Sequence, residues 1–404
     1  MTKYTYEELA AGIETIVPAN GLKEKLAAAE KENRPLVIKF GMDPTAPDLH
    51  LGHAVALKKI KQFMENGHEI HLVIGDFTAR IGDPSGRNTT RPPLTPKEVD
   101  ENAKTYVDQL DKIFDTSKLT IHYNNDWMGK MSLADTLKLL SKATLAQMMQ
   151  REDFVNRYEN NIPIALHELI YPMMQGYDSV VLDSDIEFGG RDQLLNCLVG
   201  RSLQEQDGKS GQIVLSMPLL CGLDGHIKMS KSKGNYIGLT EPATEMYGKT
   251  MSIPDSLIPE WVELVTNWDA KTKADVIADL KNGTVNPMEI KKKIAYNIVE
   301  QYHSPEDANA AQEFFYKQVQ QRGFDTKEFT AVKWEDLTNA AEITLLDLGV
   351  ALQPEQSKSA MRRLIESGAV SVEGEKVVNP LFKLEKSANG IKIKIGKRGF
   401  YNVA

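Results

Sequence analysis

Cysteine is nearly absent: 404 residues hold only Cys197 and Cys221. This excludes a cysteine-rich zinc site, and a lone pair in a chain this long, with no export signal, reads as reduced thiols. Long apolar runs are missing as well, and none approaches the roughly eighteen residues that a membrane span needs. The opening stretch MTKYTYEELAAGIE is neither a basic-then-apolar secretory start nor an Arg-rich, acid-poor transit peptide, so the expected location is the cytoplasm. Internal repeats and low-complexity segments are lacking. So is an excess of positive charge: 48 Lys and Arg stand against 56 Asp and Glu, a net −8. That excludes a protein that coats nucleic acid by bulk attraction, and neither DNA nor a membrane is expected as a partner. The shortage is uneven, because Thr344 to Ala404 holds ten Lys and Arg against six Asp and Glu, leaving the first 343 residues at −12. Any RNA contact should be local, with the tail as one candidate.

What is present is a globular composition, 41% hydrophobic and 26% charged, at a length that implies two or three domains. Residues 1–240 alternate short apolar runs with helical stretches, which predicts an α/β fold with a Rossmann-like parallel sheet. Strands are expected at Pro35–Phe40, Ile70–Gly75, Leu119–Tyr123, Ser179–Leu182 and Gln212–Leu215. After His50 a helix is expected, with Leu57, Ile60 and Met64 on one face and Lys58, Lys59 and Lys61 on another. Residues 241–325 lose the strand signal and read as an all-helical domain, with helices near Glu260–Thr266, Lys273–Leu280 and Met288–Gln301. Residues 326–340 read as a linker. Residues 341–404 read as a small α+β module: the amphipathic basic helix SKSAMRRLIESGAV, then the β-like pieces SVEGEKV and GIKIKIGKRGFYNV.

Two constellations carry chemistry. The first is GMDPTAPDLHLGH, Gly41 to His53. Pro44 and Pro47 stiffen this loop, while Gly41 and Gly52 let backbone pass close to a flat or charged ligand. The helix that follows aims its partially positive N-terminus into the loop, which suits a phosphate chain, and His50 and His53 can donate to the same anion. The same histidines could instead ligate a metal, but no third and fourth ligand stands nearby in sequence. The second constellation is Lys228-Met229-Ser230-Lys231-Ser232, with Gly222, Gly225 and Gly234 around it. It describes a mobile loop that closes two ammonium groups over a polyphosphate; alone, it also reads as a solvated charge run.

HLGH early on a nucleotide-binding fold, with KMSKS about 175 positions later, resembles the class I aminoacyl-tRNA synthetases. Three intervening stretches resemble the tyrosyl-tRNA synthetases among them: Tyr171-x-x-x-Gln175-x-x-Asp178, Gly189-Gly190-Arg191-Asp192-Gln193, and Ile81-Gly82-Asp83-Pro84-Ser85-Gly86 with the following Arg87 to Arg91. The likeness runs in register from about residue 33 to 240 and more loosely beyond. Some members carry a tyrosine beside the substrate phenol and a cysteine near the ribose, where this chain has Lys39 and Phe40. Phe40 offers no side-chain hydrogen bond, and Lys39 either contacts the phenol or projects elsewhere. The difference points to the other bacterial branch, which keeps the full KMSKS string.

The resemblance implies that the enzyme joins L-tyrosine to ATP and passes the tyrosyl group to tRNA(Tyr). It implies that Asp83, Tyr171 and Gln175 hold the α-ammonium, that Gln193 lies along the substrate, and that Asp192 with Gly190 takes the adenosine ribose. Asp178 completes the tyrosine set; Gly41, Asp43, Gly52, Met229 and Lys231 complete the ATP set. Tyr171, Gln175 and Asp178 sit at i, i+4 and i+7, so one helix face aims three hydrogen-bonding groups at one spot, where a core helix would be apolar. A tyrosine carboxylate needs no general base, so catalysis is positioning plus charge stabilisation. Thr45 and His50 are expected to donate to the terminal phosphate, His53 to phosphate or ribose, and Lys228 and Lys231 to close over the leaving group. Arg87 and Arg91 are expected in the same loop closure. Mg²⁺ is expected with ATP, with no dedicated protein metal cage. The tail resembles the alpha-L RNA-binding module, and the family implies a homodimer.

Three rivals remain at this stage: the tryptophan-activating sister enzyme, an RNA-binding protein with a degenerate synthetase core, and another HxGH nucleotidyltransferase. Asp178 and the tail speak against the first, the complete set of catalytic positions against the second, and the tail against the third.

Overall fold

The computed structural model describes residues 3–44, 48–84, 95–317, 329–387, 390–396 and 399–404. Thr45, Arg87 and Arg91 lie outside the described residues. Two compact units divide the chain, Met1–Asn309 and Ala310–Ala404.

The first unit is built on a six-stranded sheet of β1 (Thr15–Val17), β2 (Val37–Met42), β3 (Glu69–Ile74), β4 (Leu119–Tyr123), β5 (Ile186–Gly190) and β6 (Ile213–Met217), in the order β1-β6-β5-β2-β3-β4. β1 runs antiparallel to β6 and the other pairs are parallel. Ile38, Phe40, Ile70, Leu72, Ile74, Ile186, Phe188, Ile213 and Leu215 are buried, as crossover helices on both faces require. The predicted strands at 35–40, 70–75, 119–123 and 212–215 correspond to β2, β3, β4 and β6.

Ser179–Leu182 is a correction. These residues end the Leu166–Leu182 helix, which Asp183 closes in the left-handed region at φ 51°. Their apolar run is the last turn of a helix that is only partly buried there, with Ser179 inside and Val181 exposed. The strand follows at IEFGG, where a mid-strand glutamate and a glycine pair hid it.

The helix after His50 spans Leu51–Glu65. Beyond the sheet come the helices Ile258–Val265, Ala270–Asn282 and Pro287–Tyr302, as the 3.6-residue periodicity predicts. They are built against the sheet's own elements. Lys58 Nζ donates to the Val265 carbonyl at 2.7 Å, and Lys112 Nζ donates to that of Tyr302 at 2.9 Å. Trp261, Val262, Ile294 and Ile298 are buried between them.

In the second unit the helices Leu345–Leu352 and Lys358–Glu366 pack on a five-stranded sheet. Its strands are Val370–Val372, Glu375–Lys376, Ile391–Ile395, Gly399–Val403 and Thr330–Val332. The last of these comes from the stretch expected to be a linker, and it pairs parallel with Gly399–Val403. Trp334, from the same stretch, is buried in the module's core with Leu345, Met361 and Ile393. So 329–340 is structural; its alternation was too short to read as a strand.

Candidate active site

β2 and β5 are parallel neighbours whose successors lie on opposite sides of them: β3 and β4 beyond β2, β6 beyond β5. Their C-terminal ends therefore border the crevice where open α/β sheets bind ligands. β2 ends at Met42 and delivers Asp43 and the HLGH loop; β5 ends at Gly190 and delivers Asp192 and Gln193.

On one side of the crevice the Leu166–Leu182 helix supplies Tyr171, Gln175 and Asp178. Tyr171 Oη donates to Asp43 Oδ2 at 3.0 Å, and Thr78 Oγ1 donates to Asp43 Oδ1 at 2.7 Å. Burial, reinforced by the carboxylates of Asp43 and Asp83, holds the Tyr171 phenol well above its ordinary value, so it remains a donor. Gln193 Nε2 donates to Asp83 Oδ2 at 2.8 Å. Asn196 Nδ2 donates to Gln193 Oε1 at 3.0 Å and to Gln175 Oε1 at 3.2 Å, while Arg151 Nη1 donates to Asn196 Oδ1 at 2.7 Å. The structure thus brings Asp83, Tyr171, Gln175 and Gln193 together.

Asp178 lies deeper, 3% exposed. Its Oδ1 accepts from Trp127 Nε1 at 2.9 Å and its Oδ2 from Asn124 Nδ2 at 3.4 Å. Burial pushes its carboxyl up to about 7, against the opposing pull of the Lys39 ammonium. Lys39 does not reach toward the pocket; it projects into the helix–sheet interface and pairs with Glu187 at 2.9 Å. Phe40 is core.

On the nucleotide side His50 caps the Leu51–Glu65 helix. Its backbone N–H donates to His53 Nδ1 at 3.2 Å, which places the proton of a neutral His53 on Nε2. Burial, aided by Lys231 and Lys228, lowers His53 to about 4; burial and His53 lower His50 well below its ordinary value. Near neutral pH both are uncharged imidazoles, each with one N–H to give. His50 Nδ1 is buried with no partner among the described residues. Leu51 N–H donates to Ile237 O at 3.0 Å and Leu239 N–H to Leu49 O at 2.9 Å, which ties the HLGH turn to the chain just past the lysine loop.

Two of the expected ATP positions leave little room beside the glycine. A Cβ on Gly52 would stand 3.0 Å from the His50 ring, and one on Gly190 would stand 2.8 Å from Asp192 Oδ1. Beside Gly41 no heavy atom of the described residues lies within 4 Å of a Cβ position, which leaves room there for a ligand.

Met229 is buried and its N–H donates to Leu220 O at 2.8 Å, which anchors the lysine loop. The lysines on either side of it span the crevice: Lys228 Nζ pairs with Asp192, and Lys231 Nζ pairs with Asp48 Oδ2 at 2.9 Å. Among the described residues no group of three or more His, Cys, Asp or Glu could hold a metal ion.

Sequence reasoning missed Thr78, Asn124, Trp127, Asn196, Glu187 and Gly75. A Cβ on Gly75 would lie 2.0 Å from Asp43 Oδ1 and 2.3 Å from Thr78 Oγ1. Gly75→Ala is therefore expected to push Asp43 off Tyr171 and raise the KM of the amino-acid substrate about tenfold or more, since overpacking by one methyl costs about 1–3 kcal/mol. Steady-state kinetics on the variant check this, and an unchanged KM would show that Asp43 is not held in place from below.

The profile of the family described as tRNA synthetases class I (W and Y) matches residues 31–320. The chain is similar to tyrosine–tRNA ligase 2 of Photorhabdus laumondii, 50% identical over 396 residues that cover 98% of each chain. It is also similar to the tyrosine–tRNA ligase of Thermotoga maritima, 44% identical over 95% of this chain and 94% of the other. Among solved structures, the fold is like that of the Archaeoglobus fulgidus tyrosyl-tRNA synthetase complexed with L-tyrosine, with a TM-score of 0.61 at 24% identity over 75% of this chain and 97% of the other.

Proposed function

This chain belongs to the class I tRNA synthetases of the tryptophan and tyrosine family, and from that we infer that it is a tyrosine–tRNA ligase, forming tyrosyl-adenylate and pyrophosphate from L-tyrosine and ATP, then transferring tyrosine to the 3′ end of tRNA(Tyr). One observation carries the choice of amino acid. At the bottom of the pocket a carboxylate acceptor, Asp178, stands beside an amide donor, Asn124 Nδ2, whose present bond to it is long at 3.4 Å. A phenol hydroxyl donates to the first and accepts from the second. An indole N–H can only donate, and a phenyl ring does neither, leaving a buried polar group unpaired at about 1–3 kcal/mol.

In this reading Asp83, Tyr171 and Gln175 take the α-ammonium and Gln193 lies along the substrate. The tyrosine carboxylate attacks the α-phosphorus in line, its oxygen forms the new bond, and the bond to the bridging oxygen breaks as pyrophosphate leaves. His50 and His53, as neutral donors, face the phosphates and ribose, with the helix N-terminus behind them. Thr45, Arg87 and Arg91 are assigned to the same phosphates by resemblance. Asp192 and Gly190 take the ribose once ATP's phosphates draw Lys228 away, and Lys231 leaves Asp48 in the same way. Mg²⁺ bound with ATP would supply neutralisation of phosphate charge. In the second step the terminal ribose hydroxyl of the tRNA attacks the acyl carbon and AMP leaves.

The basic helix Lys358–Glu366, with Arg362 and Arg363 exposed, supports the tail as the RNA-binding module. Exposed Leu133, Leu137, Leu145, Tyr158 and Leu166, between 59% and 80% accessible, support a homodimer through that segment. A reaction on ATP and tRNA supports the cytoplasm as its location.

Amino-acid-dependent ATP–pyrophosphate exchange tests the reading, and its pH dependence tests the pocket. Below about pH 7 Asp178 of the free enzyme takes up a proton and no longer accepts the phenol proton. So kcat/KM for tyrosine should fall as pH drops through that range and level off above it. His53, already neutral above about 4, adds no limb there. A flat profile between about pH 6 and about pH 8 would contradict the role given to Asp178.

A further inference from the structure

On the sheet face under the Leu166–Leu182 helix, a row of directly opposed residues runs from Glu187 on β5 through Lys39 on β2 to His71 on β3. Parallel strands covered on both faces ordinarily carry Val, Ile or Leu at such positions. Here the Lys39 and Glu187 side chains are 0% and 1% exposed. A buried ion pair seldom adds net stability over apolar residues of the same volume, so stability alone does not account for it.

The hydrogen bonds give it another purpose. Lys39 Nζ spends its three donors on Gln175 O at 2.8 Å, Ser179 Oγ at 2.8 Å and Glu187 Oε1 at 2.9 Å. Glu187 Oε1 also accepts from Gln175 Nε2 at 3.3 Å, while its Oε2 accepts from Ser179 Oγ at 3.1 Å and from Gln212 Nε2. An ionised carboxylate only accepts, so the Gln175 amide must turn its nitrogen toward Glu187. That leaves Gln175 Oε1 for donors on the other side, where Asn196 Nδ2 already stands at 3.2 Å.

We infer that the Lys39–Glu187 pair is a positioning device beneath the substrate pocket: Glu187 fixes which end of the Gln175 amide faces the substrate ammonium, and Lys39 supplies the positive charge that keeps Asp178 an acceptor for the phenol. This rests on the tyrosine reading above. Lys39 acts on Asp178 through space rather than by contact, and its ammonium is the largest influence that opposes burial there. The other groups facing Asp178 are Glu187, which pushes the opposite way, and the neutral donors Trp127 and Asn124. Tyr171 is on its own helix, and its phenol feels the Asp178 charge. At the end of the same row, His71 Nδ1 and His122 Nε2 are hydrogen-bonded at 2.9 Å, with the His122 ring 6.0 Å from that of Trp127. In the whole row Lys39 is the cation aimed under this helix.

The test is Lys39→Met, read by ¹³C-carboxyl NMR titration of Asp178 in the ligand-free protein and by exchange kinetics. The Asp178 midpoint should rise by about one pH unit or more, the usual effect of losing a buried opposite charge. At neutral pH, KM for tyrosine should rise about tenfold, with kcat at saturating tyrosine and KM for ATP unchanged. A folded variant with the wild-type midpoint and the wild-type tyrosine KM overturns the inference. If Lys39→Met does not fold, because Glu187 is left buried and bare, Lys39→Met with Glu187→Gln keeps the hydrogen-bonding shape without charge and is judged by the same two readings. His122→Gln should leave the midpoint in place; a shift as large as that of Lys39→Met assigns the effect to the histidines and also overturns the inference. A shifted midpoint in a protein that shows no exchange with tyrosine would sink the tyrosine reading and leave the link from Lys39 to Asp178 standing.

Discussion

Asp178→Ala should lower tyrosine-dependent ATP–pyrophosphate exchange about a hundredfold or more in kcat/KM. Truncation removes the acceptor for the substrate phenol and for two protein donors, Trp127 Nε1 and Asn124 Nδ2. Of these bonds only the one from the phenol forms on binding; a hydrogen bond to a charged acceptor is worth about 1.5–3 kcal/mol, and about 2.7 kcal/mol already gives two orders of magnitude. Phenylalanine, which never used the carboxylate, should lose far less, so discrimination between the two amino acids narrows. Fold stability should fall only modestly, since Asn124 Nδ2 keeps its bond to Thr78 Oγ1 at 3.1 Å, Trp127 is only partly buried, and the charge of a carboxyl held up near 7 by burial is not a net asset to the folded state. Exchange with both amino acids, together with a thermal melt, checks the prediction. An equal loss for tyrosine and phenylalanine would mean that the residue acts on packing and not on the phenol.

Lys228→Ala and Lys231→Ala should behave in the opposite manner, lowering kcat about a hundredfold each while leaving KM for tyrosine in place. Both ammonium groups sit on carboxylates in the ligand-free protein, Asp192 and Asp48, on either side of the crevice. They gain most when a more highly charged anion forms between them, which happens as pyrophosphate departs. A preorganised donor aimed at developing charge is worth about 3–4 kcal/mol. The double variant should lose less than the product of the single losses, because both lysines act on one leaving group. Single-turnover adenylate formation measures this directly. A rise in KM for ATP with kcat unchanged would reassign both lysines to ground-state binding.

The two signature loops were legible because each is local: a glycine, a histidine pair or a lysine pair, packed into a few residues at the end of a strand. Four strands were legible from their apolar runs. The pocket's supports were not. Asn124 and Trp127 meet Asp178 across more than fifty positions, and Glu187 meets Lys39 only because β5 lies beside β2 in the sheet order. Glu187 also concealed its own strand, since a charge in the middle of IEFGG contradicts the pattern of a doubly covered strand. The same residue that serves the pocket thus spoiled the local signal, while the neighbouring apolar run at Ser179–Leu182 read as a strand although tertiary packing makes it the end of a helix. Thr330–Val332 was hidden for another reason: three residues on a sheet edge carry too little periodicity to register.

The most direct test of the account is ATP–pyrophosphate exchange by the wild-type protein with tyrosine, tryptophan and phenylalanine in parallel. Exchange that depends on tyrosine, with tryptophan and phenylalanine at least about a hundredfold weaker in kcat/KM, is the predicted result. Exchange that favours tryptophan, or none with any of the three, would contradict the pairing of Asp178 and Asn124 around a phenol, and with it the central claim.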